Sequence, residues 1–259
     1  MSKRKADRMS ADCIEITESI FRASKEKGEE KPSRGYLGAS ILGKECDREL
    51  WYGFRWATTP EFSGRMYRLF QRGHDEELRV VSGLRDAGYE VVDAKPDGSQ
   101  YGGELFGGHF GFHIDGVIRG LPGDEKTWHL LEIKTHNERS YKATVKKGVQ
   151  ANKPLHWHQM QFYMGEMKFT RGLYVAVNKN TDDIYCEIVE HDPALMEPYK
   201  SKALRIIQAE EPPFKAATNP DAYVCKFCDH KSVCHMGKLP EVSCRTCAHV
   251  TPKIGRAHV

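Results

Sequence analysis

Two acidic side chains and one lysine stand in short apolar segments near the middle of the chain. Asp115 lies in the segment GFHIDGVI, and Glu132 and Lys134 lie two residues apart in the segment LLEIKT. Successive side chains of a strand alternate between two faces, so Glu132 and Lys134 are expected to project from the same face. Charged groups in an apolar strand are costly to bury unless they are paired or bind a metal ion. A loop through residues 120–123 would let the two strands lie side by side, which predicts that all three groups meet at one point.

This combination of groups suits the hydrolysis of a phosphodiester bond. Carboxylate oxygens are ligands that Mg²⁺ and Mn²⁺ prefer, and a bound ion polarises the phosphate and lowers the pKa of a coordinated water. The ammonium group of Lys134 would orient that water or stabilise charge that develops on the phosphate. The alternative is an ordinary surface hairpin whose Glu132–Lys134 pair faces water, because Glu-x-Lys is a common tripeptide. The apolar surroundings of Asp115 favour the catalytic interpretation.

Further polar residues occur at helical spacing on either side of these strands. Gly73 and His74 lie in a long helix that is predicted over residues 61–87, and Gln159 and Tyr163 lie four apart in a later helix. Residues four apart share one face of a helix, so Gln159 and Tyr163 are expected to act together, on a nucleic-acid backbone or behind the metal site. Each of these signals is weak alone, and their order along the chain is far more specific.

Taken in that order, the motifs resemble those of the RecB-like branch of the PD-(D/E)xK nuclease superfamily, over about residues 40–236. The resemblance implies metal ligation by one histidine, two acids and a backbone carbonyl, here His74, Asp115, Glu132 and Ile133. It also implies that Lys134 is catalytic and that Gln159 and Tyr163 support the substrate or the site. The implied activity is that of a metal-dependent deoxyribonuclease.

The cysteines form a second pattern, because five of the eight lie between residues 225 and 247. In a chain without an export signal, Cys-x-x-Cys spacing favours metal or cluster binding over disulfides. Cys225, Cys228 and Cys234 follow one another as Cys-x2-Cys-x5-Cys, and Cys46 lies far upstream. This arrangement is similar to that of CRISPR-associated adaptation nucleases, AddB-type helicase-nucleases and phage exonucleases with an iron–sulfur cluster. The resemblance implies that the four thiolates hold a structural [4Fe–4S] cluster that joins the two ends of the nuclease domain.

A zinc ribbon is the alternative for the same region. Cys225, Cys228, Cys244 and Cys247 form Cys-x2-Cys-x15-Cys-x2-Cys, a spacing typical of structural Zn²⁺ sites. Zinc binding by these four residues leaves Cys46 and Cys234 without a role, so the iron–sulfur interpretation is favoured. Cys244 and Cys247 would then form half of a second metal site.

Composition and charge narrow the function classes only in part. The longest apolar runs, such as residues 173–177, are too short to cross a bilayer. Residues 1–8 are basic but no apolar stretch follows them, so we expect no secretory signal and a cytoplasmic location. The formal net charge of +3 neither predicts nor excludes binding to nucleic acid. Arg65, Arg68 and Arg72 recur at helical spacing and predict one wall of a DNA-binding groove.

The hydrophobic periodicity predicts an α/β fold. Helical patterns come first, then strands over residues 89–92, 103–106, 110–118 and 129–135, a helix over 153–169, strands over 172–178 and 184–189, and a helix over 193–210. With the resemblance, this order predicts a restriction-endonuclease-like core, in which helices flank a mixed central sheet, and a cysteine-rich cap that joins the N- and C-terminal parts.

Three segments are predicted along the chain. Residues 1–35 form a basic tip with a helical segment, residues 36–236 form the nuclease domain, and residues 237–259 form a cysteine-containing tail. Residues 254–259 resemble the translation of a sequencing adapter, so the tail is expected to be truncated with a non-native end.

These patterns together predict a metal-dependent DNA exonuclease in recombination or repair, phage replication or CRISPR adaptation. Single-stranded DNA or duplex ends would be the substrate, and a recombination or single-strand annealing protein the partner. One alternative is a structure-specific endonuclease, which the sequence does not separate from an exonuclease. Another is a non-catalytic DNA-binding module with a metal cluster. Lys134 argues against that module, since binding alone needs no lysine beside the carboxylates.

Overall fold

A computed structural model of the chain describes residues 10–30, 34–247 and 249–253. The strands are β1 (Leu37–Gly38), β2 (Glu90–Val92), β3 (Gly102–Leu105), β4 (Phe110–His113), β5 (Gly116–Arg119), β6 (His129–His136), β7 (Arg171–Asn178) and β8 (Ile184–Glu190). The α-helices are α1 (Ala11–Glu29), α2 (Asp47–Phe54), α3 (Gly64–Asp86), α4 (Glu138–Asn152), α5 (Pro154–Met167), α6 (Met196–Gln208), α7 (Tyr223–Lys226) and α8 (Lys231–His235). The predicted basic tip at residues 1–8 and the adapter-like end at 254–259 lie outside the described residues.

A five-stranded mixed sheet forms the centre of the fold, in the order β2-β5-β6-β7-β8. Strands β6 and β7 pair in parallel, and the other neighbours pair antiparallel. The parallel pair needs a crossover, which α4 and α5 provide between β6 and β7. Almost every residue of β6 and β7 is buried, as expected for strands that are covered on both faces.

Helices cover both faces of this sheet. One core contains Val80 and Val81 of α3 with Leu131 and Ile133 of β6. The other core contains residues of α5 and α6 with alternate residues of β6 and β7, such as Leu130. The predicted class of an α/β fold, with a mixed central sheet flanked by helices, is therefore confirmed.

The strand that was predicted over residues 110–118 is wrong as a single element. It breaks after His113 into β4, which joins a three-stranded sheet in the order β1-β4-β3, and β5, which joins the five-stranded sheet. At the break the backbone N–H of Ile114 donates to the carbonyl of Tyr101 at 2.9 Å, and Asp115 lies in a bend. Asp115 therefore lies between two sheets and not within an apolar strand.

The helical periodicity of the sequence predicts that the apolar face of the long helix consists of Leu69, Phe70, Leu78, Val81 and Leu84, and this prediction is wrong in part. Leu69, Phe70 and Leu78 are exposed, Leu78 over 65% of its surface, whereas Val80 and Val81 are buried against the sheet. The cause is that only the second half of α3 covers the sheet.

The first half of α3 packs against α1. A Cβ added at Gly64 would lie 1.8 Å from the carbonyl oxygen of Phe21, so only glycine permits this close approach of the two helices. The side chain of Ser63 caps the helix by accepting a hydrogen bond from the N–H of Met66 at 3.3 Å. The helix therefore begins three residues later than the pattern predicted.

The C-terminal segment packs against α2. Trp51 Nε1 and Arg55 Nη2 both donate to the carbonyl of Ala209 at 2.8 Å, and the N–H of Glu241 donates to the carbonyl of Ala57 at 3.0 Å. The segment that begins at Cys46 and the C-terminal segment that carries five further cysteines are therefore brought together. Among the described residues, no helix combines the length and apolar character that crossing a membrane requires.

Candidate active site and cysteine-lined cavity

The structure brings Asp115, Glu132 and Lys134 together where β5 begins beside the middle of β6. The backbone N–H of Ile133 donates to Asp115 Oδ2 at 2.8 Å, which fixes the carboxylate across the strand pair. Lys134 Nζ lies 3.4 Å from the same oxygen and forms an ion pair with Glu132. It also donates to the Ile133 carbonyl at 3.1 Å. Two carboxylates, one carbonyl and one ammonium group thus surround a single point.

Glu132 is the most unusual group of this cluster. Its side chain has no exposed surface, its Oε1 contacts the ammonium group of Lys134, and its Oε2 has no hydrogen-bond donor in the described part of the chain. Burial, and next the neighbouring charge of Asp115, raise the pKa of Glu132 to about 8, although Lys134 acts in the opposite direction. A fully buried acid beside a second acid, with one carboxylate oxygen left without a donor, is costly, so it favours a site at which a cation binds.

The pKa of Lys134 is set by burial and by the neighbouring acids, which act on it in opposite directions. Burial by itself would lower the pKa of the ammonium group, but the carboxylates of Asp115 and Glu132 outweigh burial and raise that pKa above its usual range. Lys134 is therefore held as a cation beside the two acids.

Glu77 is a third acid of the site, and sequence reasoning missed it. It projects from α3 and lines a cavity of about 350 Å³ together with Ile133 and Lys134. Burial, and then the charge of Asp115, raise its pKa, while Lys134 and His74 lower it. A signal for it exists in the sequence, because Glu77 lies three and four residues before the two valines of α3 that face the sheet.

His74 is placed differently from the other predicted ligands. Its side chain is 62% exposed, and its Nδ1 lies 3.6 Å from Glu77 Oε2. It lines a separate cavity between α1 and α3, whereas Glu77 lines the cavity beside Lys134. Over residues 10–30, 34–247 and 249–253, no three His, Cys, Asp or Glu side chains already stand as a ligand set for one metal ion. The ligand role of His74 stays a prediction.

Gln159 and Tyr163 form part of the buried wall behind the cluster. Gln159 Nε2 donates to the hydroxyl of Tyr163 at 3.0 Å, as their shared helical face predicts, and both residues are buried. The ring of Tyr163 stacks on Phe112 with 5.5 Å between centroids. Burial, and next the charge of Glu132, raise the pKa of Tyr163 above its usual range, so its phenol keeps its proton.

The three predicted DNA-binding arginines lie on the exposed surface of α3. Arg65, Arg68 and Arg72 line the same cavity between α1 and α3 as His74. Arg72 Nη2 donates to the carbonyl of Lys179 at 2.7 Å, which fixes its guanidinium at the end of β7. Their contact with DNA stays a prediction.

Four cysteines line a second cavity at the junction of α2 and the C-terminal segment. They are the N-cap residue of α2, one residue in α7, one in α8 and one between these two helices, namely Cys46, Cys225, Cys234 and Cys228. All four are free thiols. Burial, and then the nearby Cys46 and Cys234, raise the pKa of Cys225, so two of the other thiols lie close enough to Cys225 to act on its charge.

Cys244 and Cys247 are exposed and do not line this cavity. Between them, Arg245 Nη1 donates to the carbonyl of Phe54 at 2.7 Å, and its guanidinium lies 4.4 Å from the ring centroid of Trp56. The CRTC segment therefore contacts α2 through its arginine, and its thiols lie apart from the other four.

Comparison with solved structures finds this fold elsewhere. SSO0001 matches with a TM-score of 0.51 and 18% identity, over 85% of this chain and 96% of that chain. An alkaline exonuclease from Laribacter hongkongensis, LHK-Exo, matches with a TM-score of 0.46 and 19% identity, over 72% of this chain and 90% of that chain. The structure of LHK-Exo in complex with dAMP matches with a TM-score of 0.48 and 20% identity, over 73% of this chain and 90% of that chain. Neither a protein-family model nor a curated protein matches the chain. The likeness to SSO0001 shows a shared fold.

Proposed function

We propose that the chain is a metal-dependent deoxyribonuclease whose active site is the cluster of Asp115, Glu132 and Lys134. The observation that carries this proposal is the fully buried carboxylate of Glu132, which lies beside a second acid and forms an ion pair with the ammonium group of Lys134. Such an arrangement costs stability, and strongly perturbed ionisable groups concentrate at sites of chemistry. A surface hairpin whose charges face water does not fit this burial.

The donor atoms fit a hard divalent ion such as Mg²⁺ or Mn²⁺. Asp115, Glu132 and the Ile133 carbonyl would supply oxygen ligands, and Glu77 would supply a further carboxylate from α3. Glu132 Oε2, which has no hydrogen-bond donor in the described part of the chain, is an atom that a bound cation would satisfy. When bound, the ion would polarise the phosphodiester and lower the pKa of a coordinated water. His74, which contacts Glu77, would join the ligands or hold that acid in place.

The remaining groups of the site would prepare the substrate for attack. The Ile133 N–H keeps Asp115 in one orientation, so the carboxylate needs no reorganisation when the substrate binds. Lys134 carries a proton and would stabilise the negative charge that develops on the phosphate oxygens. The hydrogen bond between Gln159 and Tyr163 would keep the buried wall behind the cluster in place while the substrate reacts.

DNA as the substrate, and attack at an end, rest on the ordered resemblance to RecB-like nucleases. Recombination, repair, phage replication and CRISPR adaptation remain the proposed settings, with a recombination or single-strand annealing protein as partner and the cytoplasm as location. The alternatives are a structure-specific endonuclease and a non-catalytic DNA-binding module. The ion pair between Lys134 and buried Glu132 disfavours the module, because DNA binding does not need a buried charge pair.

The four thiols that line one cavity support the proposal of a [4Fe–4S] cluster at Cys46, Cys225, Cys228 and Cys234. Thiolates are the ligands of such clusters, and the residues come from both ends of the nuclease domain, so the bonds would join those ends. The zinc alternative needs Cys244 and Cys247, which lie outside this cavity. These two residues remain candidates for half of a second metal site.

Removal of divalent ions tests the proposed chemistry. The purified chain with Mn²⁺ is expected to release nucleotides from labelled linear DNA, and an excess of EDTA is expected to reduce release to the level of a protein-free control, because the carboxylates alone cannot activate water. Covalently closed circular DNA in a parallel assay separates the two modes of attack, since an exonuclease leaves it intact and an endonuclease cuts it. Cleavage that persists in EDTA, or no cleavage of any DNA with Mg²⁺ or Mn²⁺, would contradict the proposal.

Replacing Glu77 tests whether α3 contributes to the metal site. Glu77→Gln removes a charge beside the cluster without changing the size of the side chain, and we expect the Mn²⁺ concentration for half-maximal cleavage to rise roughly tenfold or more. Glu76→Gln is the matched control, because this neighbouring acid is paired with Arg79 and does not line the site cavity. An unchanged metal dependence in Glu77→Gln, or an equal shift in both variants, would remove Glu77 from the site.

A further inference from the structure

The cavity beside Lys134 has a second group of polar residues that the proposed chemistry does not use. Besides Glu77 and Lys134, it is lined by His136 at the end of β6 and by Lys153 and His156 where α5 begins. The described residues that line the cavity therefore include one acid, two lysines and two imidazoles.

Lys153 is a cation without a counter-ion. It lies at the junction of α4 and α5, and across the described residues its ammonium group has neither an ion pair nor a hydrogen bond, whereas Lys142 and Lys200 are each paired with a glutamate. Burial lowers the pKa of Lys153, which shows that its charge is partly removed from water. A partly buried cation with no acid beside it is stabilised when an anion binds.

The two imidazoles are held in fixed positions by one tyrosine. The hydroxyl of Tyr174 lies 2.9 Å from His136 Nε2 and 2.8 Å from His156 Nδ1, and His136 Nδ1 lies 3.0 Å from Ser140 Oγ. A hydroxyl has one proton, so it donates to one ring and accepts from the other. Burial lowers the pKa of His136 to about 4 and that of His156 to about 3, so both rings are neutral near pH 7. His156 Nε2 is left to bond a ligand as part of a neutral ring.

The position of Lys153, His136 and His156 near Lys134 limits which kind of anion can bind to Lys153. Both Lys134 and Lys153 act electrostatically on both histidines, so the second group of residues lies close to the catalytic lysine. Glu77 is the one acid among the described residues that line the cavity, and the nearby charge of Asp115 acts on it. A nucleic-acid strand that places one phosphate at the cluster carries another phosphate one nucleotide away.

We propose that Lys153 and His156 form a phosphate-binding subsite for the phosphodiester next to the one that is cleaved. Lys153 supplies the charge, His156 supplies a neutral hydrogen bond, and the first turn of the 14-residue helix α5 adds its partial positive charge. The subsite fixes the strand in register with the catalytic cluster. This inference rests on the proposed nuclease function for its choice of substrate, and it assigns Lys153 and His156 to binding and not to bond cleavage.

Binding of DNA without cleavage tests the subsite. Fluorescence anisotropy in Ca²⁺ would be used to measure the affinity for short single-stranded oligonucleotides, each with one neutral methylphosphonate linkage at a different position. We expect one linkage position at which the neutral analogue weakens binding of the parent chain by about threefold to tenfold. Lys153→Met is expected to weaken binding of unmodified DNA by a similar factor and to be insensitive to that same linkage, whereas Lys153→Arg retains the parent behaviour.

The salt dependence of binding gives a second readout. Loss of one phosphate contact by Lys153→Met should reduce the slope of log affinity against log salt by about 0.7, the value for one charge on a single strand. His156→Phe should lower affinity without changing that slope, because a neutral donor releases no counter-ion. Lys126→Met, an equal loss of charge in the exposed loop before β6, is the matched control and should match the parent in both readouts.

The outcomes separate the subsite from the nuclease. A Lys153→Met variant that keeps the parent slope, or that still responds to the critical linkage, would overturn the subsite. If the Lys153-dependent linkage effect is present but the parent cleaves no DNA with Mn²⁺, the nuclease proposal fails and the phosphate subsite stands. If the parent cleaves DNA but Lys153 has no effect on binding, the phosphate subsite fails and the nuclease proposal stands.

Discussion

Replacing Lys134 by methionine is expected to reduce DNA cleavage about 100-fold or more while leaving metal binding in place. Methionine has a similar length, so it preserves packing but removes the ammonium group that lies against Asp115 and Glu132. In the same assay, Asp115→Asn and Glu132→Gln should also lose cleavage, for a different reason, because they remove oxygen ligands. The measurement that separates the two roles is the rise in melting temperature on addition of Mn²⁺, which reports binding of the ion to the folded chain.

For Lys134→Met we expect this Mn²⁺-dependent rise to equal or exceed that of the parent, because the ion no longer competes with the ammonium group for the two carboxylates. For Asp115→Asn and Glu132→Gln we expect the rise to be largely lost. Parent-like cleavage by Lys134→Met would remove the catalytic assignment. A loss of the Mn²⁺ response in Lys134→Met would show that the lysine acts through the metal site and not on the substrate.

Replacing Cys225 by serine is expected to lower the melting temperature of anaerobically purified protein by roughly 10 °C or more. The change would disrupt a cluster that holds α2 against the C-terminal segment, and both elements contain cysteines that line the cavity. The parent should be coloured and contain about four iron atoms and four sulfides per chain. Cys244→Ser is the matched control, because this thiol is exposed and lies outside the cavity, so stability and colour should be unchanged.

A zinc ribbon would give the opposite pattern of results. The parent would be colourless and contain zinc, Cys244→Ser would be as damaging as Cys225→Ser, and Cys46→Ser would be harmless. Equal losses in Cys46→Ser and Cys225→Ser support the four-thiol set. Loss of stability without iron, sulfide or zinc in the parent would leave the cavity as ordinary packing and refute both metal assignments.

The cost of burying Glu132 supports the proposal that this cluster serves function and not stability. A hydrophobic residue at that position would pack among the apolar residues of β6 and β7 without the cost of burying a charged pair. Folding alone would favour an apolar residue at this position. Proteins accept local instability of this kind at sites of chemistry.

The sequence by itself determined those features that depend on covalent neighbours. Glu132 and Lys134 lie on one face of β6 because side chains in any strand alternate. Gln159 and Tyr163 are hydrogen-bonded because any helix brings residues four apart together. The same local periodicities predicted the strands and helices from which the mixed sheet and its covering layers are built.

Only the tertiary structure decided which acid of α3 faces the cluster and which groups complete the cavity. The rotation of α3 about its axis is set by the burial of Val80 and Val81 and by the close approach of α1, and that rotation turns Glu77 toward the site and leaves His74 exposed. The break at Asp115 likewise arises because its two flanking strands pair with different partners. Such contacts join residues that are far apart in the chain, and their energies depend on which surfaces are buried together, so no local spacing contains them.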